Sequence, residues 1–113
     1  MAKSNKPIFW SLFAAGGTLA AFLAPVLVLL FLLAALGHAP ALLGYANLHA
    51  FAAGWLGKLF LLTVITLFLW HAAHRLRVTL HDFGLRQDTT VAIVVYLVAA
   101  AGTVLSLLYL LRI

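Results

Sequence analysis

Trp70, His71, His74, Arg75, Arg77 and His81 crowd into one stretch, W-H-A-A-H-R-L-R-V-T-L-H, which holds three of the five histidines, two of the four arginines and one of the three tryptophans. An imidazole titrates near neutrality, so it can donate a hydrogen bond, accept one or pass a proton. A guanidinium is permanently charged and can polarise a carbonyl or hold an anion. An indole adds a flat wall with a single N–H donor. Together these groups suit a quinone headgroup, whose carbonyl oxygens want donors, whose ring wants an aromatic wall and whose two-electron reduction takes up two protons. Two other uses of the same residues stay open. The histidines could serve as axial ligands of a haem, although His71 and His74 share one helix and cannot take opposite faces of the same haem. Alternatively, the basic side chains could simply meet lipid headgroups or a protein surface at a helix end.

On a helix, Trp70, His74, Arg77 and His81 fall within about 60° of one another and form one stripe. His71 and Arg75, four apart, form a second row beside it. The stretch follows directly on the apolar run Leu59 to Leu69. Titratable groups at the end of a membrane helix, in a chain that otherwise avoids charge, mark where function is to be sought.

The element that positions them is a membrane helix, and the composition leaves little choice. Of the 113 residues, 66% are hydrophobic and 8% charged, too little polar surface to clothe a water-soluble domain. Charge is absent between Lys6 and Lys58, between Lys58 and Arg75, and between Asp88 and Arg112. Two of these gaps hold the roughly 20 apolar residues that cross a bilayer, and the middle one nearly does. The expectation is an all-α membrane protein, a single transmembrane domain over residues 1–113 with helices over about 8–36, 50–82 and 90–111. With no cysteine, thiolate chemistry, disulfides and iron-sulfur ligation by this chain are excluded. The net charge of +5 fits membrane orientation and docking to an acidic surface, and nucleic acid is not expected as a partner.

Pro7 suits the first turn of a helix and Trp10 a headgroup-level position, with rings in hydrocarbon and N–H toward water or a ligand. The apolar run behind Trp10 is longer than the core of a signal peptide, so a retained helix is expected there. Ala14, Ala15, Gly16, Gly17, Ala20, Ala21 and Ala24 give that helix a side for close helix packing, and Pro25 should bend it. Gly37, Pro40 and Gly44 break the pattern, leaving a loop in which Tyr45 and His49 form either a second ligand site or a plain turn. The second helix should end at Gly84 in a left-handed cap, and at about 50 Å it would overrun the roughly 30 Å hydrocarbon core. Lys58 would snorkel toward headgroups, and Thr89 would cap the third helix. Lys3, Lys6, Arg75, Arg77 and Arg86 share one side of a three-span chain, against Lys58 and Arg112 on the other. The basic excess predicts a cytoplasmic N-terminus and second loop, and a periplasmic C-terminus.

The chain resembles the D subunit, the smaller membrane anchor, of the four-subunit bacterial fumarate reductases. The resemblance is carried by P-I-F-W-S-L-F-A-A-G-G at Pro7 to Gly17, A-P-V at Pro25, G-K-L-F at Gly57 to Phe60, L-W-x-x-x-H-R at Leu69 to Arg75, and H-D at His81 and Asp82. It implies a bacterial inner-membrane protein paired with a second membrane anchor (C). Together the two would seat an iron-sulfur subunit (B) and a flavoprotein subunit (A) on the cytoplasmic face. It further implies that menaquinol binds at the subunit interface and supplies the electrons for fumarate reduction in anaerobic respiration. Flavin and iron-sulfur clusters would lie only in the partners. Family quinone contacts carry over onto Trp10, Phe13, His74 and Arg75, with His71, Arg77 and His81 left for proton transfer or docking. Anchors of this type lack haem, so none is expected, and the chain by itself would have no catalytic activity. The alternatives are a haem-containing succinate dehydrogenase anchor and a structural anchor that makes no quinone contact.

Overall fold

A computed structural model describes residues 6–113. Among them there are four α-helices and no strands: α1 (Lys6–Ala35), α2 (Tyr45–Ala53), α3 (Trp55–Asp82) and α4 (Asp88–Arg112), with a single 3-10 turn at Ala41–Leu43 before α2. Three segments, Pro7–Ala35, Trp55–Asp82 and Asp88–Arg112, are long and apolar enough to cross a membrane. Lys3, which the basic-residue balance counted in the N-terminal tail, lies outside the described residues, as does the side chain of Lys6.

The expected second helix over 50–82 is two helices. Gly54 has extended backbone (φ −73°, ψ 149°) and separates α2 from α3. Two residues into α3, Gly57 is buried against the backbone of Phe51, where a Cβ would collide with the Phe51 carbonyl. The Phe51 ring meets Phe60 edge-on at 5.9 Å, so α2 folds back on the start of α3. With the break, α3 has 28 residues and is about 42 Å long, closer to the bilayer than the uninterrupted helix would be.

The other helix ends follow directly from glycine. Gly84 has φ 96°, its N–H bonds to His81 O, and Leu85 N–H bonds to Leu80 O. Gly37 (φ 82°) does the same after α1, with Gly37 N–H to Ala34 O and His38 N–H to Leu33 O. Both are Schellman closures, which supply donors to carbonyls that the helix end would otherwise leave orphaned. Pro25 lies inside α1 without ending it. At the start of α4 the helix begins at Asp88, with Gln87 rather than Thr89 in the capping position. A carboxylate in the first turn favours the positive end of the helix dipole, which a threonine cannot do.

Helix α3 is central, with α1 and α4 packed on it from two sides and α2 against its start. The α3–α4 seam is the core: Ala73, Val91, Val95 and Ala99 are buried, with Leu69, Trp70, Leu80 and Tyr96 packed around them. Gly102 lets the Leu69 side chain approach the α4 backbone, since a Cβ there would stand 2.9 Å from Leu69 Cδ1. On the other side Gly16 and Gly17 carry the α1–α3 contact. A Cβ on Gly16 would be 2.5 Å from Leu67 O and 2.7 Å from His71 Cβ, and one on Gly17 would be 2.9 Å from His71 Cε1. In lipid, where burial of apolar surface gives helices little reason to associate, such close backbone approach is what holds them together. Hydroxyls on these helices bond back to the carbonyl four residues earlier, as Thr63 does to Leu59 O (2.8 Å) and Thr103 to Ala99 O (2.8 Å).

At the α2 end, Lys58 Nζ donates to Leu110 O in the last turn of α4. The expected snorkelling lysine therefore caps the negative end of a neighbouring helix, where a cation belongs.

Candidate functional site

The site forms where the N-terminal end of α1, the C-terminal end of α3 and the first turns of α4 meet. A pocket of about 400 Å³ opens there, lined by Phe9, Trp10, His74, Arg77 and Tyr96. Each helix supplies a different chemistry. From α1 come the aromatic side chains Phe9 and Trp10, both exposed toward the pocket mouth and the surroundings. Helix α3 brings the imidazole and the guanidinium, and α4 brings a phenol.

Three members of the stripe read from the sequence converge on Tyr96. Trp70 stacks on its ring (centroids 5.8 Å apart, planes at 20°), and Trp70 Nε1 donates to Thr103 Oγ1 at 3.3 Å. His74 Nδ1 lies 3.0 Å from the Tyr96 hydroxyl. The Arg77 guanidinium sits 5.8 Å from the ring centroid and donates through Nη1 to the hydroxyl at 3.4 Å. Across the turn Arg77 also grips Asp88, with Nε to Oδ1 at 2.9 Å and Nη2 to Oδ2 at 2.6 Å. This two-point pairing of a planar fork with a carboxylate fixes both position and orientation, and half-exposed as it is, it locates Arg77 more than it stabilises the fold. The stripe therefore faces α4 and builds one wall of the pocket. His81, its last member, is exposed beyond that wall.

The second row faces elsewhere. His71 turns to α1, where its ring stacks on Phe13 (4.5 Å, 10°) and its Nδ1 pairs with Phe13 O at 2.9 Å. The Phe13 ring also lies against His74, 4.6 Å away at 54°. Phe13 thus touches both histidines from behind the pocket and is not among the pocket-lining residues. Arg75 is exposed, does not line the pocket and makes no hydrogen bond among the described residues. Of the four residues singled out as quinone contacts, Trp10 and His74 line the pocket directly, Phe13 supports it, and Arg75 stands next to His74 on the outer surface.

Phe9, Tyr96 and Asp88 complete the arrangement, and sequence reasoning did not find them in it. Phe9 is adjacent to Trp10 and approaches Tyr96 at 6.3 Å, a contact between the first and last spans that no local spacing reveals. Asp88 carried a usable signal, since it and Arg77 are opposite charges flanking the Gly84 turn. At the other end of the bundle Tyr45 and His49 do adjoin, with ring centroids 5.7 Å apart, and both are exposed on α2. Among the described residues, no group of three or more His, Cys, Asp or Glu side chains is placed to hold a metal ion.

The pocket thus offers aromatic walls, one permanent cation and one imidazole, the equipment to bind a flat, amphipathic molecule with oxygen acceptors. The family model for the fumarate reductase D subunit matches residues 1–111. Similar curated relatives are the fumarate reductase D subunit of Aliivibrio fischeri, 38% identical over 109 residues (95% of this chain, 91% of that protein), and that of a Shewanella species, 37% identical over 112 residues (97% and 93%). The Vibrio cholerae fumarate reductase D subunit is 42% identical over a shorter 82 residues (71% and 63%). With three spanning helices packed in this order and a family match over nearly its whole length, the chain belongs to the family of fumarate reductase D subunits.

Proposed function

We propose that this chain anchors a fumarate reductase complex in the bacterial inner membrane and supplies part of the site at which menaquinol is oxidised. The observation that carries the reading is the pocket at the α1/α3/α4 end, where Trp10, Phe9 and Tyr96 form aromatic walls and His74 and Arg77 bring donors to one space. Its volume of about 400 Å³ lies within the range of sites for small molecules.

The N-terminus of α1 and the α3–α4 turn lie on the cytoplasmic side in this reading, and the C-terminus is periplasmic. Arg75, Arg77 and Arg86 then stand at the same face as the pocket, where the positive-inside bias wants them. The iron-sulfur and flavoprotein subunits dock on that face, and a second anchor packs alongside in the membrane. Menaquinol oxidised in the pocket gives two electrons to the iron-sulfur subunit and releases two protons, and the flavoprotein uses the electrons to reduce fumarate to succinate. Exposed Arg75 is then the cation that this chain offers to the part of the site completed by its partners. Having no cysteine, the chain leaves iron-sulfur ligation to them.

The test is Trp10→Ala in the complex purified from its own membrane. Trp10 is 67% exposed and contributes little to packing within the chain. The substitution is expected to weaken binding of a menaquinone analogue while the flavin and iron-sulfur subunits still co-purify. Release of those subunits would make Trp10 a docking residue, and unchanged analogue binding would remove the pocket from the quinol site.

A further inference from the structure

Tyr96 has no place in the resemblance on which the quinol reading draws, yet it is the residue on which the pocket's polar groups converge. We propose that Tyr96, itself held by Arg77 and Asp88, is a positioning residue that holds His74 as the tautomer carrying hydrogen on Nε2. The role in turnover rests on the menaquinol reading above.

The order of the hydrogen bonds carries the inference. Asp88, ionised, only accepts, and it takes two bonds from Arg77. Arg77 only donates, so its remaining contact, Nη1 to the Tyr96 hydroxyl at 3.4 Å, makes the phenol oxygen an acceptor. The phenol still has one proton to place. Among the described residues its other polar neighbour is His74 Nδ1 at 3.0 Å. If Nδ1 carried a hydrogen, the phenol oxygen would face two donors and its own proton would have no acceptor. With Nδ1 bare, each contact in the series Asp88, Arg77, Tyr96, His74 pairs a donor with an acceptor. A guanidinium beside the phenol also makes the hydroxyl a better donor. In the neutral ring the hydrogen is then on Nε2, the only ring nitrogen left to address an occupant of the pocket.

The consequence is specific. An Nε2–H donates to a quinone oxygen, and it cannot take the quinol's proton without first losing its own. His74 then binds and orients the headgroup, and the quinol protons leave through other groups of the assembled site. Trp70 helps to keep the phenol in place by stacking on its ring, and Phe13 lies against the His74 ring.

Two measurements on the assembled complex test this. In the unsubstituted complex with ¹⁵N-labelled histidine, the His74 resonances, assigned by their loss in His74→Gln, are expected to show a protonated Nε2 and a bare, hydrogen-bonded Nδ1. A protonated Nδ1 with bare Nε2 would overturn the proposal. The second measurement is a double-substitution cycle with Tyr96→Phe, which deletes the hydroxyl and keeps the ring that stacks on Trp70. Tyr96→Phe is expected to lower quinol-driven fumarate reduction about tenfold, the scale of one lost hydrogen bond, and to have no further effect in a His74→Gln background. Dye-driven fumarate reduction, which bypasses the anchor, should be unchanged throughout. Equal losses from Tyr96→Phe in both backgrounds would mean that Tyr96 does not act through His74 and would overturn the proposal alone. Full quinol turnover in His74→Gln would instead overturn the quinol reading, together with the role built on it.

Discussion

Arg75 and Arg77 are two residues apart on α3 and have opposite fates. Arg77 is spent within the chain, tied at two points to Asp88 and resting over Tyr96, so replacing it would disturb the packing of α3 on α4 as well as the pocket. Arg75 is exposed and has no hydrogen-bond partner among the described residues, so its removal leaves the fold of this chain intact and reports on function alone. Arg75→Leu in the assembled complex is expected to cut quinol-driven fumarate reduction by at least about 100-fold, as loss of one transition-state donor does. Activity with an artificial dye that feeds the flavin should survive. Measuring both rates on the same preparation decides the matter, and unchanged quinol turnover would remove Arg75 from the quinol site. Which of the two arginines turns inward was not legible from the stretch itself. Spacing places Arg77 on the stripe with Trp70 and His74, but only the position of α4 decides that this stripe is the covered one.

At the scale of the helices, the packing rests on a few positions without side chains. Gly16 is the tightest point between α1 and α3, with Leu67 O and His71 Cβ in the space a Cβ would take. Gly16→Val is expected to push α1 off α3, carrying Phe13 from His71 and His74, and to lower the amount of assembled complex in the membrane several-fold. Ala15→Val, on the exposed side of α1, is the matched control and should assemble normally. Equal assembly of the two would show that α1 is held by partners and not by its glycine contact. The small-residue run from Ala14 to Gly17 announced this interface, because in lipid close approach has few other sources. The break at Gly54 was harder to see. No proline marks it, and a single glycine in an apolar run reads equally well as a tolerated helix residue. What makes it a corner is the second glycine at position 57, which admits the Phe51 carbonyl when α2 folds back.

For the molecule as a whole, the proposed orientation makes a direct prediction. A periplasm-dependent reporter enzyme fused after Ile113 should be active, and one inserted at the exposed Arg86 in the α3–α4 turn should be inactive. The reverse pattern would place the pocket on the periplasmic face and detach it from cytoplasmic partners. The two ends of the bundle already differ in kind. One gathers the N-terminus of α1, the pocket and the Arg77–Asp88 pair. At the other, Lys58 closes the end of α4 and α2 folds back on α3.

By itself the sequence determined the solvent, the three spans, the left-handed cap at Gly84 and the stripe that Trp70, His74 and Arg77 form along one face of a helix. Each of these follows from local properties: apolar runs of bilayer length, a glycine after a helical pattern, and polar residues recurring at helical spacing in one short stretch. The tertiary structure decided how α3 shares its faces between two neighbours, giving His71 to Phe13 and His74 to Tyr96. It also decided that Phe9 and Tyr96 line one pocket with Trp10 and His74, and that Asp88 holds Arg77 there. Those pairings join residues from different spans, and a helical repeat fixes which residues share a face but not which helix that face will meet.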